Sequence, residues 1–222
     1  MHSMENINKY IEHTVLKPDA TIEDIEKMVS EARKYNFFGV CINPNYVRLA
    51  KSLLSDTEIK IVTVVNFPLA SNTVDMTKYQ IEKVLEYGAD EIDTVINISA
   101  LKNKDYKQVE SDLSATKNAC CGHNLKVILE TDLLKKEEIK IASEICVQSN
   151  ANFVKTSTGF VKGGVGARVD DVKLIKEIVS KHGLGVKASG GIKTNSQALD
   201  LINAGADRLG TSSGVDIMVL KG

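Results

Sequence analysis

The chain of 222 residues predicts a (β/α)8 barrel of parallel strands, with residues 1–222 forming one domain, and three observations predict it. Short runs rich in β-branched residues alternate with longer stretches of helical period along the whole length, the pattern of parallel βα units. A three-residue phrase recurs between helix and strand: Gly88-Ala89-Asp90, Asn150-Ala151-Asn152 and Gly205-Ala206-Asp207. Gly and Asn tolerate the left-handed conformation that ends a helix, so these read as αβ junctions of one geometry. Finally, no linker, low-complexity tract or composition shift divides the chain, and eight βα units suit its length. A doubly wound open sheet shares the alternation and is the alternative architecture.

Taken in order, Tyr10–Thr14 is a short first strand. Thr21 then opens a helix with Asp24 three residues on, a capping-box-like start, and Ile22, Ile25, Met28, Val29 and Ala32 recur at helical spacing on one face. Strands follow at Phe38–Ile42, Ile59–Phe67, Glu91–Ile96, Leu125–Glu130 and Phe153–Ser157, each bounded by helical stretches. Asp170 or Asp171 is placed to cap the next clear helix, in which Val172, Ile175, Ile178 and Val179 face the core before Gly183 ends it. Gly185–Ala188 and Arg208–Thr211 complete the set of strands.

Composition narrows the function. The chain is 43% hydrophobic and 26% charged, with net charge −1 and a pI near 6.4. Its charges are mixed rather than blocked, which argues against a nucleic-acid or membrane surface and for a small-molecule partner. Cys41, Cys120, Cys121 and Cys146 contain no C-x-x-C pair and read as reduced thiols. No apolar run has the length of a membrane span, and Met1 to Lys9 lacks the apolar middle of a signal peptide, so the expected compartment is the cytoplasm.

Two lysines stand where lysines are unwelcome. In Phe153-Val154-Lys155-Thr156-Ser157, Lys155 alternates with Val154 on a strand that a parallel sheet covers on both faces. Gly185-Val186-Lys187-Ala188 repeats the arrangement one βα unit later. Desolvation disfavours a buried ammonium, and a second ammonium nearby disfavours it further, so such a pair can supply a neutral amine that attacks carbonyls. The plain alternative is a lysine at a strand end whose head reaches solvent. Asp93, within the apolar run Glu91–Ile96, is either a proton shuttle for those amines or only their charge partner. Glycine-rich segments follow three of the strands: Gly159 to Gly166, Ser189-Gly190-Gly191, and Gly210-Thr211-Ser212-Ser213-Gly214. The last two stand where barrels commonly hold phosphate, on backbone N–H groups with serine hydroxyls added. The first is either a cover over the substrate or a long connection.

These residues carry a resemblance. Ile11-Glu12-His13-Thr14-Val15-Leu16-Lys17-Pro18, Val40 to Pro44, Thr63 to Pro68, Asp90 to Asn97, the specific run Phe153 to Phe160, Val186 to Ile192 and Gly210 to Ser213 resemble the deoxyribose-phosphate aldolases over nearly the whole chain. The resemblance implies a (β/α)8 barrel without metal or cofactor. By the same likeness Lys155 is the Schiff-base nucleophile, Lys187 tunes it and assists proton transfer, and Asp93 relays protons through water. Phosphate contacts map to Gly159, Gly190, Gly191, Gly210, Ser212 and Ser213. The implied partner is a phosphosugar, and the implied state a homo-oligomer, dimer or tetramer. The chain departs from the family pattern at Glu12, where Asp is frequent, and in ending at Gly222 without the tyrosine-bearing tail of some members. Rival readings are another Schiff-base lyase of this fold and a phosphosugar binder without catalysis. A metal-dependent aldolase is disfavoured, since His2, His13, His123 and His182 lack ligand spacing. His13 is expected to be a hydrogen-bonded structural residue and Cys41 a core thiol.

Overall fold

Strands covered on both faces need side chains that suit both a lumen and a surrounding layer of helices, and period-two alternation separates the two sets. In the computed structural model, which describes residues 4–219, eight parallel strands close into a barrel in chain order. They are β1 Ile11–Val15, β2 Gly39–Ile42, β3 Lys60–Val65, β4 Glu91–Val95, β5 Asn124–Ile128, β6 Phe153–Lys155, β7 Gly185–Ser189 and β8 Arg208–Thr211. The helices are α1 Ile22–Tyr35, α2 Val47–Leu53, α3 Val74–Glu86, α4 Ile98–Lys102, α5 Tyr106–Ala119, α6 Lys136–Gln148, α7 Val169–Val179, α8 Asn195–Asn203 and α9 Gly214–Val219. His2 and the Gly222 end lie outside the described residues.

The expected barrel is therefore the observed one, and the open-sheet alternative falls because β1 pairs with β8, Ile11 opposite Leu209 and His13 opposite Thr211. Several expected strands end earlier than their apolar runs. β3 stops before Asn66, which takes φ +48°, and the run through Glu130 stops at Ile128, with Glu130 itself at φ +61°. Left-handed residues cannot continue a strand.

The recurring junctions share one device. Gly88, Asn150 and Gly205 all have positive φ, at 104°, 55° and 109°. The third residue of each phrase then reaches the neighbouring strand, where Asp90 accepts from Ile61 N at 2.8 Å, Asn152 from Leu125 N at 2.9 Å and Asp207 from Val186 N at 2.8 Å. Each polar side chain satisfies a backbone donor at the start of a strand and so helps fix the register of two strands.

Thr21 makes its capping box, accepting from Asp24 N at 3.2 Å while Asp24 accepts from Thr21 N at 2.9 Å. Ile25, Met28, Val29 and Ala32 are buried as expected, but Ile22, the first residue of α1, is exposed. The expectation for α7 needs correction at its start: Arg168 is the N-cap, and Asp170 and Asp171 lie within the first turn, where their charge still complements the helix dipole. Gly183 ends the helical stretch at φ +79°, after a 3-10 turn over Ser180–His182.

Apolar side chains of the strands face the helices. Val40, Ile61, Ile92, Val127, Val154, Val186 and Leu209 join Ile25, Val109, Ile139, Ile175 and Leu201 in a continuous layer between wall and helices. A separate apolar group lies inside the barrel, formed by Leu16, Cys41, Val62 and Val64 with Phe67 against it. Charged side chains of β1, β4, β5, β6 and β7 share that lumen.

Candidate active site

The register brings the sequence-predicted residues together. Lys155 on β6 pairs with Lys187 on β7, and Asp93 on β4 pairs with Lys126 on β5. Since residues opposite one another on neighbouring strands face the same way, all four side chains enter the lumen. Asp93 Oδ2 lies 2.7 Å from Lys155 Nζ and 2.6 Å from Lys187 Nζ, and Oδ1 lies 3.2 Å from Lys126 Nζ. Glu12 pairs with Lys187 and stands 3.5 Å from Lys126, which also meets Glu91 at 2.5 Å. Three lysines thus face three carboxylates, with Asp93, Glu12, Lys126 and Lys187 fully buried.

Three members of this network, Lys126, Glu12 and Glu91, are not singled out by the sequence. Lys126 sits between Leu125 and Val127 on an apolar strand, the same signal that singled out Lys155 and Lys187. Glu12 was noted only as a departure from the family pattern, yet its side chain reaches Lys187 and Lys126 directly.

Electrostatics follow from the pairing. Burial pushes the Asp93 carboxyl up, but the ammonium groups of Lys126, Lys155 and Lys187 outweigh it and hold the acid well below the usual carboxylate range. For Lys187 burial favours loss of the proton, and Asp93 and Glu12 reverse that, keeping it charged well above the ordinary lysine range. Lys126 is raised in the same sense, against burial, by Asp93, Glu12 and Glu91. Lys187 itself lowers Lys126, and the carboxylates outweigh it. Cys41 is fully buried beside this network, and its thiol is pushed up by burial, as befits a core residue. Glu12, Cys41 and Asp93 offer two oxygens and a sulfur within 4.8 Å, a donor set of metal-site type. Their carboxylates are already engaged by ammonium groups, so a cation would have to displace lysines to enter, and the residues present do not fit one.

Above the network lies a cavity of about 610 Å³ at the C-terminal end of the strands. Lys155 lines it, and so do all six glycine and serine positions expected to hold phosphate: Gly159, Gly190, Gly191, Gly210, Ser212 and Ser213. Lys187, Lys126 and Asp93 lie beneath, outside its lining. Glycine is required where the two loops after β6 and β7 touch. A Cβ on Gly166 would overlap the Gly190 backbone, and one on Gly191 would overlap the Val165 carbonyl. Gly210 is tight for another reason, since a Cβ there would lie 3.1 Å from Lys187 Cε. His13 faces α1 instead of the lumen, with Nε2 2.8 Å from Glu31 Oε2, the structural role expected of it.

Known proteins are similar to this chain over nearly its whole length. A deoxyribose-phosphate aldolase of Staphylococcus carnosus is 49% identical over 210 residues, covering 95% of this chain and 94% of its own. A solved putative deoxyribose-phosphate aldolase of Coccidioides immitis superposes with TM-score 0.93 at 36% identity, covering 96% of this chain and 84% of that one. The deoxyribose phosphate aldolase of Aeropyrum pernix, described as a unique tetrameric structure, gives TM-score 0.86 at 32% identity, covering 97% and 91%. With the family model for DeoC/LacD family aldolases matching residues 7–218, which span all eight strands, the chain belongs to that family of lyases.

Proposed function

We propose that the chain cleaves 2-deoxyribose 5-phosphate reversibly to acetaldehyde and glyceraldehyde 3-phosphate through a Schiff base on Lys155, within deoxyribose phosphate catabolism. One observation carries the choice of nucleophile: among the described residues of the buried ionic network, Lys155 alone also lines the cavity. Lys187 has two carboxylates, Glu12 and Asp93, and Lys126 has three, whereas Lys155 has only Asp93, which it shares.

In this reading Lys155, its proton passed to solvent at the cavity, adds as the free amine to the C1 aldehyde of the open-chain sugar. The resulting carbinolamine takes a proton from Lys187 and loses water, leaving an iminium. The C3 hydroxyl proton passes through a water held by Asp93 to Lys187, left neutral by the preceding step, the C3–O electrons form the aldehyde of glyceraldehyde 3-phosphate, and the C2–C3 pair moves to the iminium as an enamine. Protonation at C2 and hydrolysis then release acetaldehyde and the amine. Asp93 keeps its charge throughout, so its part is to orient the two amines and the water rather than to store a proton. Phosphate held by the glycine and serine loops does no chemistry, but its binding positions C1 over Lys155.

The likeness to a tetrameric relative supports a homo-oligomer, and the free thiols Cys41, Cys120, Cys121 and Cys146 support the cytoplasm. Among the described residues no helix is long and apolar enough to cross a membrane. Borohydride reduction in the presence of acetaldehyde tests the proposal. An N-ethyl group mapped to Lys155 is expected; an adduct on Lys187, or no adduct, overturns it. Cleavage is expected to survive EDTA undiminished.

A further inference from the structure

Glu130 has no part in the ionic network, yet it is buried and strained. It leaves β5 at φ +61°, ψ +62°, a conformation costly for a residue with a Cβ, and only 3% of it is exposed. Both carboxylate oxygens are committed to one residue: Oε1 accepts from Thr158 N at 3.1 Å and Oε2 from the Thr158 hydroxyl. Thr158 Oγ1 accepts in turn from Phe160 N at 3.0 Å, which fixes the turn holding Gly159. Burial raises the Glu130 carboxyl, and the two Thr158 donors offset that only in part. Two residues on, Asp132 holds the far end of the same loop, with Oδ2 accepting from Gly166 N at 2.8 Å and Oδ1 paired with Arg168 at 2.7 Å. Gly166 packs on Gly190, and Ala167 N donates to Gly190 O at 3.1 Å, so the clamped loop also backs the loop after β7.

We infer that Glu130 is a positioning residue for the phosphate end of the substrate, acting through Thr158 to hold Gly159 and the loop after β6 in the shape of an anion cradle. The inference rests on the phosphosugar reading above and names the device that builds its phosphate site. A carboxylate cannot itself face a phosphate, and Glu130 does not: its charge is spent on the loop, whose backbone then turns toward the cavity.

The test measures kcat and KM for 2-deoxyribose 5-phosphate and for unphosphorylated 2-deoxyribose, together with calorimetric binding of inorganic phosphate, on the full chain. Losing a charge-assisted pair of hydrogen bonds should raise KM for the phosphate ester about tenfold in Glu130→Ala, weaken phosphate binding to a similar degree, and leave KM for the unphosphorylated sugar within about twofold. Thr158→Val should reproduce the effect, and the double variant should be no worse than the stronger single one. Glu130→Gln, which can still accept from Thr158 N and donate to its hydroxyl, should restore KM to within about threefold of the parent. Equal rises for both sugars, additive effects, or unchanged phosphate binding overturn the inference. If Glu130→Ala does not fold, Thr158→Val and Glu130→Gln decide it by the same criteria. A parent chain that binds phosphate in a Glu130-dependent way but cleaves neither sugar would sink the aldolase reading and leave this one standing.

Discussion

The lumen of the barrel and the layer around it are built on opposite principles from the same strands. Outside, Val154, Val186 and Ile92 pack against Ile175, Ile139 and Val109 with no charge among them. Inside, one residue along on the same strands, Lys155, Lys187 and Asp93 form a buried ionic network with Lys126, Glu12 and Glu91. Burying apolar area yields stability in proportion to the area removed from water, whereas a buried ion pair roughly breaks even against an apolar substitute. The apolar layer therefore carries the fold, and the lumen is free to hold groups chosen for reactivity. Substitutions on the two sides should accordingly fail in different ways.

The largest expected effect is on chemistry without stability. Lys155→Ala should lower kcat/KM by about 10⁴-fold or more, because no other group supplies the covalent electron sink. Asp93 keeps Lys126 and Lys187 as partners in that variant, so the midpoint of thermal unfolding should move little. Circular dichroism melting beside the kinetics separates the two; a large drop in melting temperature would show that the lumen, too, carries the fold.

Lys126→Met should do the reverse within the lumen. It removes the ammonium that three carboxylates share, leaving buried charge uncompensated at a cost of about 3–5 kcal/mol by urea denaturation. Neutralising Glu91 as well, in Lys126→Met/Glu91→Gln, should recover more than half of that loss. If the double variant is no more stable than the single one, the network is not acting as a charge-balanced unit. In the outer layer, Ile175→Ala opens a cavity in a fully buried position of α7 and should cost about 3 kcal/mol while leaving kcat/KM within about twofold.

How much of this was legible in sequence follows from the same contrast. Alternation and the Gly/Asn-Ala-Asp/Asn junctions report the outer layer and the connections, which repeat, so the run of parallel βα units could be read directly, while the pairing of β1 with β8 decided between barrel and open sheet. Lys155 and Lys187 were legible as amines among apolar neighbours, but their carboxylate partners come from β4 and β1, and only barrel closure sets Glu12 beside Lys187. The Glu130 to Thr158 clamp left no local signal, because a carboxylate at the end of an apolar run looks like the solvated start of a loop. Strand ends were misread at Phe67 and Glu130 for a related reason: a positive φ at a residue other than glycine is imposed by tertiary contacts, and composition does not report it.

The smallest effect expected near neutral pH is also the sharpest test of the contrast, since the outer layer does not titrate and the lumen does. Asp93 and Glu91 have folded values below their ordinary ones, so the unfolded chain takes up protons that the folded chain refuses. Their contribution is complete above the ordinary carboxylate range and is lost as pH falls, by about 1.4 kcal/mol per pH unit for each proton once the pH is below about 4. Lys126 and Lys187 are raised, so the folded chain keeps protons that the unfolded chain releases, and their contribution is lost as pH rises past about 10. Between pH 5 and 9 the lumen should add only about a few tenths of a kcal/mol of pH dependence. Lys126→Met/Glu91→Gln removes one titrating group from each limb, so urea midpoints followed across pH should show both limbs becoming shallower while the plateau stays flat. Limbs that keep the parent's steepness would mean that acid and alkaline unfolding are governed by surface pairs, such as Lys83 with Glu86, and not by the charged interior.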